Sequence, residues 1–196
     1  RPGEHPGKRY ALQHMYRPRG VVPGTREHDI YLAFTNSLDF RTSSEMVYKS
    51  TVGLWHRYPE MFTEEVLRLK PEDVYQALKS VRYTFPGQGG ERWVHFGRTL
   101  FDDLDGDPLN IYRLDGVSNI DELVILKGAR KKLNPHFLNG KGPKLLSLLA
   151  IMYEEFGRMP PFPRSFPVDL HVQRILNALG IVSWKKNKDV DTSFLA

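Results

Sequence analysis

The sequence predicts an all-α fold, and three observations predict it. Apolar residues recur at helical spacing through segment after segment, while runs that alternate apolar and polar residues are almost absent. Capping residues and prolines stand where helices would begin, as at Thr42 to Glu45, Thr63, Pro71 and Pro143. No internal repeat and no linker divides the 196 residues, a length that suits one domain with its own core. Residues 1–196 are therefore read as a single unit.

Residues 1–26 are rich in proline, glycine and basic side chains, with Glu4 the sole acid, and read as an irregular basic segment with a short helix around Arg9 to Tyr16. A chain that opens on arginine is expected to have lost its initiator or a tag. From Glu27 a helix carries Ile30, Tyr31 and Phe34 and breaks near Asn36-Ser37. Thr42-Ser43-Ser44-Glu45 reads as a capping box that opens a helix to about Arg57, ended by Pro59. Thr63 caps a short helix before Pro71, and Pro71 opens another that reaches about Ser80. Arg82 to Gly90 reads as a loop. Its glycines suggest a phosphate cradle, but the P-loop lysine and the preceding strand are missing. Glu91 to about Leu104 is amphipathic through Trp93, Phe96, Leu100 and Leu104. Asp102, Asp103, Asp105 and Asp107 around Gly106 look like a calcium loop but lack its closing glutamate, and read as an acidic turn after a helix. Ser118 to Asp121 starts the next helix, which runs toward Lys132.

Composition excludes several classes. No apolar run approaches the ~18 residues of a membrane helix, and no secretory signal is visible, so the protein is expected in the cytoplasm, with the nucleoid, or in the nucleus. Cysteine is absent, which removes disulfides and cysteine-held metals from this chain. The seven histidines show no metal-ligand spacing, and no metal site is expected. The net charge of +5 is modest, but its distribution is one-sided. Between Lys127 and Tyr153 stand six basic residues, Lys127, Arg130, Lys131, Lys132, Lys141 and Lys144, and no acid. Such a stretch suits a phosphate backbone, although a solvated basic face has the same composition.

Within it lies Leu138-Asn-Gly-Lys-Gly-Pro-Lys144. Gly140 and Gly142 allow a tight turn with exposed amides, and Pro143 suits a first helical position. Leu145, Leu148, Leu149, Met152 and Phe156 then repeat at helical spacing up to Gly157, a C-terminal stop. The result is a helix, a glycine hairpin and a second helix over about 119–156, with Lys144 in the second helix's first turn. The amino end of a helix disfavours an ammonium, so Lys144 is expected to lose its proton more readily than an ordinary lysine and to serve as a nucleophile. Asp169, after Pro167-Val168, heads a further amphipathic helix, where its carboxylate could face the same cleft. Each has a plainer reading, Lys144 as a solvated surface group and Asp169 as a helix cap. Their joint occurrence singles them out.

That joint pattern resembles the helix-hairpin-helix DNA glycosylases. Leu138, Gly140, Gly142 and Lys144 match their hairpin, and Val168, Asp169, His171, Val172, Arg174, Ile175 and Leu176 match their second motif. The order of helices from about Glu27 onward is similar too. The chain departs at Lys141, where the family usually has an aliphatic residue, and in a longer connection from Lys144 to Asp169. The resemblance implies a two-lobed helical fold with the active-site cleft between the lobes. It implies a base-excision repair enzyme, with Lys144 attacking the sugar and Asp169 assisting, placed in the bifunctional branch that removes oxidised bases such as 8-oxoguanine. It implies a monomer acting on double-stranded DNA that contains a damaged base, without a membrane partner. Gly140, Lys141, Gly142, Lys132, His171 and Arg174 become candidate DNA contacts, and Asn36, Tyr83, Phe85 and Gln88 candidates for the base pocket or a wedge into the stack. No cofactor is expected within this chain except for a monovalent cation at the hairpin, since the iron–sulfur cluster of many relatives needs cysteines. Two alternatives stay open: a non-catalytic helix-hairpin-helix DNA-binding module, and a monofunctional glycosylase that uses Asp169 and water.

Overall fold

One helix is buried on every side. In the computed structural model, which describes residues 12–39 and 42–163, every residue from Tyr31 to Leu38 of helix α2 (Arg26–Leu38) is buried. Its apolar residues are not confined to one stripe, the pattern of a helix surrounded by protein. Its small polar residues bond one turn back, Thr35 to the Tyr31 carbonyl at 2.8 Å and Ser37 to that of Ala33 at 3.0 Å, so burial leaves them satisfied. Thr25 caps the helix by accepting from the His28 amide.

The other elements pack against α2 or on the helices that touch it. They are the short α1 (Leu12–Met15), α3 (Ser44–Arg57), α4 (Pro71–Ser80), α5 (Pro86–Arg98), α6 (Ile120–Arg130) and α7 (Pro143–Glu155). Tight turns at Pro59–Phe62, Glu64–Arg68 and Pro108–Arg113 and a wide one at Thr99–Asp103 connect them. The described residues contain no strand, so the fold is all-α. Phe34 of α2 meets Trp93 and Phe96 of α5 at 4.6 and 5.0 Å between ring centroids, and Phe62 completes this aromatic core. The Trp93 indole donates to the Met61 carbonyl at 3.0 Å, so even the largest buried side chain has its polar atom paired.

Two local readings are corrected. The residue that caps α3 is Ser43, which accepts from the Met46 amide, and not Thr42. Glu45 consequently falls one place short of the capping-box position and pairs with Lys49 and Tyr16 instead. The expected loop from Arg82 to Gly90 is already helical from Pro86. A Cβ at Gly90 would lie 2.5 Å from the Pro71 carbonyl oxygen, and one at Gly89 would lie 2.8 Å from Leu78 Cδ1. These glycines let α5 approach α4 closely. They do not cradle phosphate.

Candidate functional site

Residues 131–142 connect α6 to α7 as a hairpin whose backbone turns through left-handed φ at Leu138 (46°) and Gly140 (77°). Thr99, at the end of α5, anchors it by donating to the His136 carbonyl at 3.0 Å and accepting from the Leu138 amide at 3.0 Å. Phe137 and Leu138 are buried beneath the turn. Asn139 bridges Lys131 (2.9 Å) and His95 (2.7 Å). Gly140 lies against Arg92, where a Cβ would come within 3.1 Å of Cγ. Gly142 is the N-cap of α7, with Pro143 in the first helical position as expected. The chain thus leaves the hairpin with Lys144 exposed in the first turn of α7, where backbone amides lack intrahelical acceptors.

Lys141 requires a correction. As a candidate phosphate contact it should be exposed, but it is 1 % exposed, among the largest fully buried side chains. Its Nζ donates to the Ala33 carbonyl at 3.1 Å and to Asn36 Oδ1 at 2.9 Å, and stands 4.2 Å from the centre of the Phe96 ring. Burial, with the positive charges of Lys127 and Arg92 nearby, pushes its pKa well below that of an ordinary lysine. The reason lies in the packing, because the hairpin turns Lys141 inward against the central helix at Ala33 and Asn36 and against the Phe96 ring. Lys132, by contrast, is exposed and remains available to a phosphate.

Asn36 is engaged at both ends, accepting from Lys141 and donating from Nδ2 to the Leu145 carbonyl at 3.0 Å. Tyr83 as a wedge is also corrected. It is 4 % exposed, and its hydroxyl donates to the Leu38 carbonyl at 2.6 Å. Phe85, 36 % exposed, and Gln88, exposed in the first turn of α5, are the wedge candidates of that loop that reach the surface. Asp169, His171 and Arg174 lie outside the described residues.

A cavity of about 270 Å³ opens beside the end of α2, lined among others by Thr35, Asn36, Asp39, Val47, Tyr48 and Leu148. Leu148 is one turn beyond Lys144 on α7. Most of the lining is apolar, and Asp39 supplies a carboxylate. Burial raises the Asp39 pKa, while the Lys144 ammonium and the Ser44 hydroxyl pull it back. Lys144 therefore shares an electrostatic neighbourhood with a carboxylate that no sequence motif marked.

A hairpin cation meets an obstacle. The carbonyl of Lys141 accepts a hydrogen bond from the ammonium of Lys127, whose pKa burial and the charges of Lys131 and Arg92 lower to about 8. The carbonyl of His136 accepts from Thr99. With these oxygens engaged and Arg92 and Lys131 adding like charge, the residues present do not fit a metal cation here. Among the described residues no group of three or more His, Asp or Glu could hold a metal ion, and no helix is long and apolar enough to cross a membrane.

No protein-family model matches the chain, and searches of curated proteins and of solved structures found no match either.

Proposed function

We propose that this chain is a base-excision repair DNA glycosylase with lyase activity, which removes an oxidised base, 8-oxoguanine first among them, from duplex DNA. The observation that carries the reading is the position of Lys144. It is an exposed amine in the first turn of α7, directly after a glycine hairpin and one turn from a largely apolar cavity with a carboxylate at its edge. A damaged nucleotide would be rotated out of the stack into a cleft between two helical lobes, since its sugar carbon is inaccessible within the duplex. The unprotonated Lys144 amine attacks the anomeric carbon, the bond to the base breaks, and the base leaves with the bonding electrons and takes up a proton. Ring opening gives an imine between Lys144 and the sugar, and β-elimination of the 3′ phosphate cuts the strand. Asp169 would stabilise positive charge on the sugar and accept the lysine proton. Lys132, Gly140 and Gly142 would hold the backbone phosphates.

Borohydride trapping tests this. The imine should be reduced to a permanent protein–DNA bond that depends on the lesion, and peptide mapping should place it on Lys144. Lys144→Gln should bind DNA and give no adduct. Base release without trapping would leave a monofunctional enzyme, and binding without release would leave a DNA-binding module. A cross-link on Lys141 is excluded on this reading, because its amine is inside the protein.

A further inference from the structure

The geometry points to Lys141 and Asn36 as positioning residues: a buried amine and a buried amide that fix the first turn of α7, and with it the Lys144 amine, to the central helix. This rests on the proposed role of Lys144 and adds two residues to that site.

The connection can be followed atom by atom. Lys141 Nζ donates to the Ala33 carbonyl at 3.1 Å and to Asn36 Oδ1 at 2.9 Å. Asn36 Nδ2 donates to the Leu145 carbonyl at 3.0 Å. Leu145 directly follows Lys144, so one side chain of α2 holds the hairpin at Lys141 and the helix at Leu145, on either side of the reactive lysine. Both groups are essentially out of solvent, with Lys141 and Asn36 each 1 % exposed. Loss of either hydrogen bond would therefore leave a buried polar group unpaired, which costs far more than loss of an exposed one. The amine faces the Ala33 carbonyl, the Asn36 carbonyl and the π face of Phe96 at 4.2 Å, all of which attract its N–H groups.

An interior amine needs a reason, since an aliphatic side chain would fill the same space without a desolvation penalty and often with equal or greater stability. Burial together with the charges of Lys127 and Arg92 already weighs against the charged form. What an aliphatic side chain cannot do is orient the Asn36 amide. An amide can present oxygen or nitrogen to either neighbour. With an amine on one side the oxygen must face Lys141, which forces Nδ2 toward Leu145. The amine thus determines the direction of the whole connection, and the hairpin cannot slide along α2 without breaking it. Sub-ångström placement of a nucleophile matters to rate far more than to binding.

Two variants test this in the full chain. Lys141→Met keeps the length and apolar bulk of the side chain and removes the donor. Asn36→Asp keeps the acceptor for Lys141 and removes the donor to Leu145, setting carboxylate oxygen against carbonyl oxygen. Hydrogen exchange reads the positioning without DNA. In each variant the amides of Leu146 and Leu149 should exchange roughly fivefold to tenfold faster, the equivalent of one lost buried hydrogen bond, while amides in α4 and α5 stay unchanged. Single-turnover trapping reads the consequence. The rate should fall roughly a hundredfold with duplex affinity preserved, and the double variant should lose no more than the worse single one. Unchanged exchange in α7 in both variants would overturn the proposal. So would faster exchange spread evenly over all helices, which would mean a purely structural role, and so would wild-type trapping in Asn36→Asp. If the wild type traps no lesion at all, the glycosylase reading falls, and the exchange data alone decide whether the clamp exists.

Discussion

Replacing Gly90 with alanine puts the interpretation of the glycine-rich segment at risk. The new Cβ would lie 2.5 Å from the Pro71 carbonyl oxygen and 3.3 Å from the Tyr75 amide nitrogen. Real Cβ atoms essentially never approach closer than 3.0 Å, so α5 must move away from α4 by at least 0.5 Å (3.0 minus 2.5). The obstructing atoms are backbone, and no rotamer change relieves them. Overpacking of this kind costs about 1–3 kcal/mol and sometimes more, against a gain of about 1 kcal/mol from replacing glycine within a helix. An obstruction by backbone belongs at the upper end of that cost, which leaves a net loss of about 2 kcal/mol and a fall in Tm of roughly 4–8 °C for a chain of this size. Gly87→Ala, three positions earlier, is the internal control, because nothing lies within 4 Å of its Cβ and its stability should be unchanged or slightly raised. Thermal and urea unfolding of the three proteins measures the difference. A Gly90→Ala protein as stable as the wild type would refute the close-packing argument. Loss of DNA affinity with unchanged stability would return the glycines to a phosphate cradle.

Two further predictions follow from charge and burial. His28 is fully buried, and burial, helped by Arg17, His14 and Arg158, lowers its pKa from 6.5 to about 4. The unfolded chain therefore binds a proton in this window that the folded one does not, so stability should fall as pH drops from about 6.5 and level off below about 4. The loss is at most about 3 kcal/mol, partly offset by Asp29, whose carboxyl burial raises. Urea titrations across that range should show the slope, and His28→Gln should flatten it. Lys132 is exposed in the hairpin whereas Lys141 is not, so Lys132→Ala should reduce the slope of log affinity against log salt by about one unit. An unchanged slope would remove Lys132 from the phosphate contacts.

The helices were legible in the sequence because they rest on local signals. Pro71, Pro143, Thr63 and Gly157 each act within one turn of the backbone, and the structure uses them as the sequence suggested. The start of α5 is not legible because Gly87, Gly89 and Gly90 favour a loop in isolation, and only the approach of α4 rewards the missing side chains at Gly89 and Gly90. The hairpin and Lys144 were likewise marked by local residues. The environment of Lys144 was not. Asp39 comes under its charge through the packing of α2 against α7, more than a hundred positions away, and no spacing rule encodes that proximity. Lys141 misled for a similar reason. A lysine between two glycines suggests solvent, and its acceptors at Ala33 and Asn36 lie more than a hundred positions away in the sequence.

The buried pair at positions 36 and 141 also changes how substitutions can be inherited. A methionine or valine at 141 orphans the amide oxygen of Asn36, and a leucine at 36 leaves the Lys141 amine with the Ala33 carbonyl as its remaining oxygen acceptor. Each single step therefore costs an interior polar group one of its hydrogen bonds. The two positions, 105 residues apart, are therefore coupled, and an apolar pair at both costs less than the sum of the two single changes.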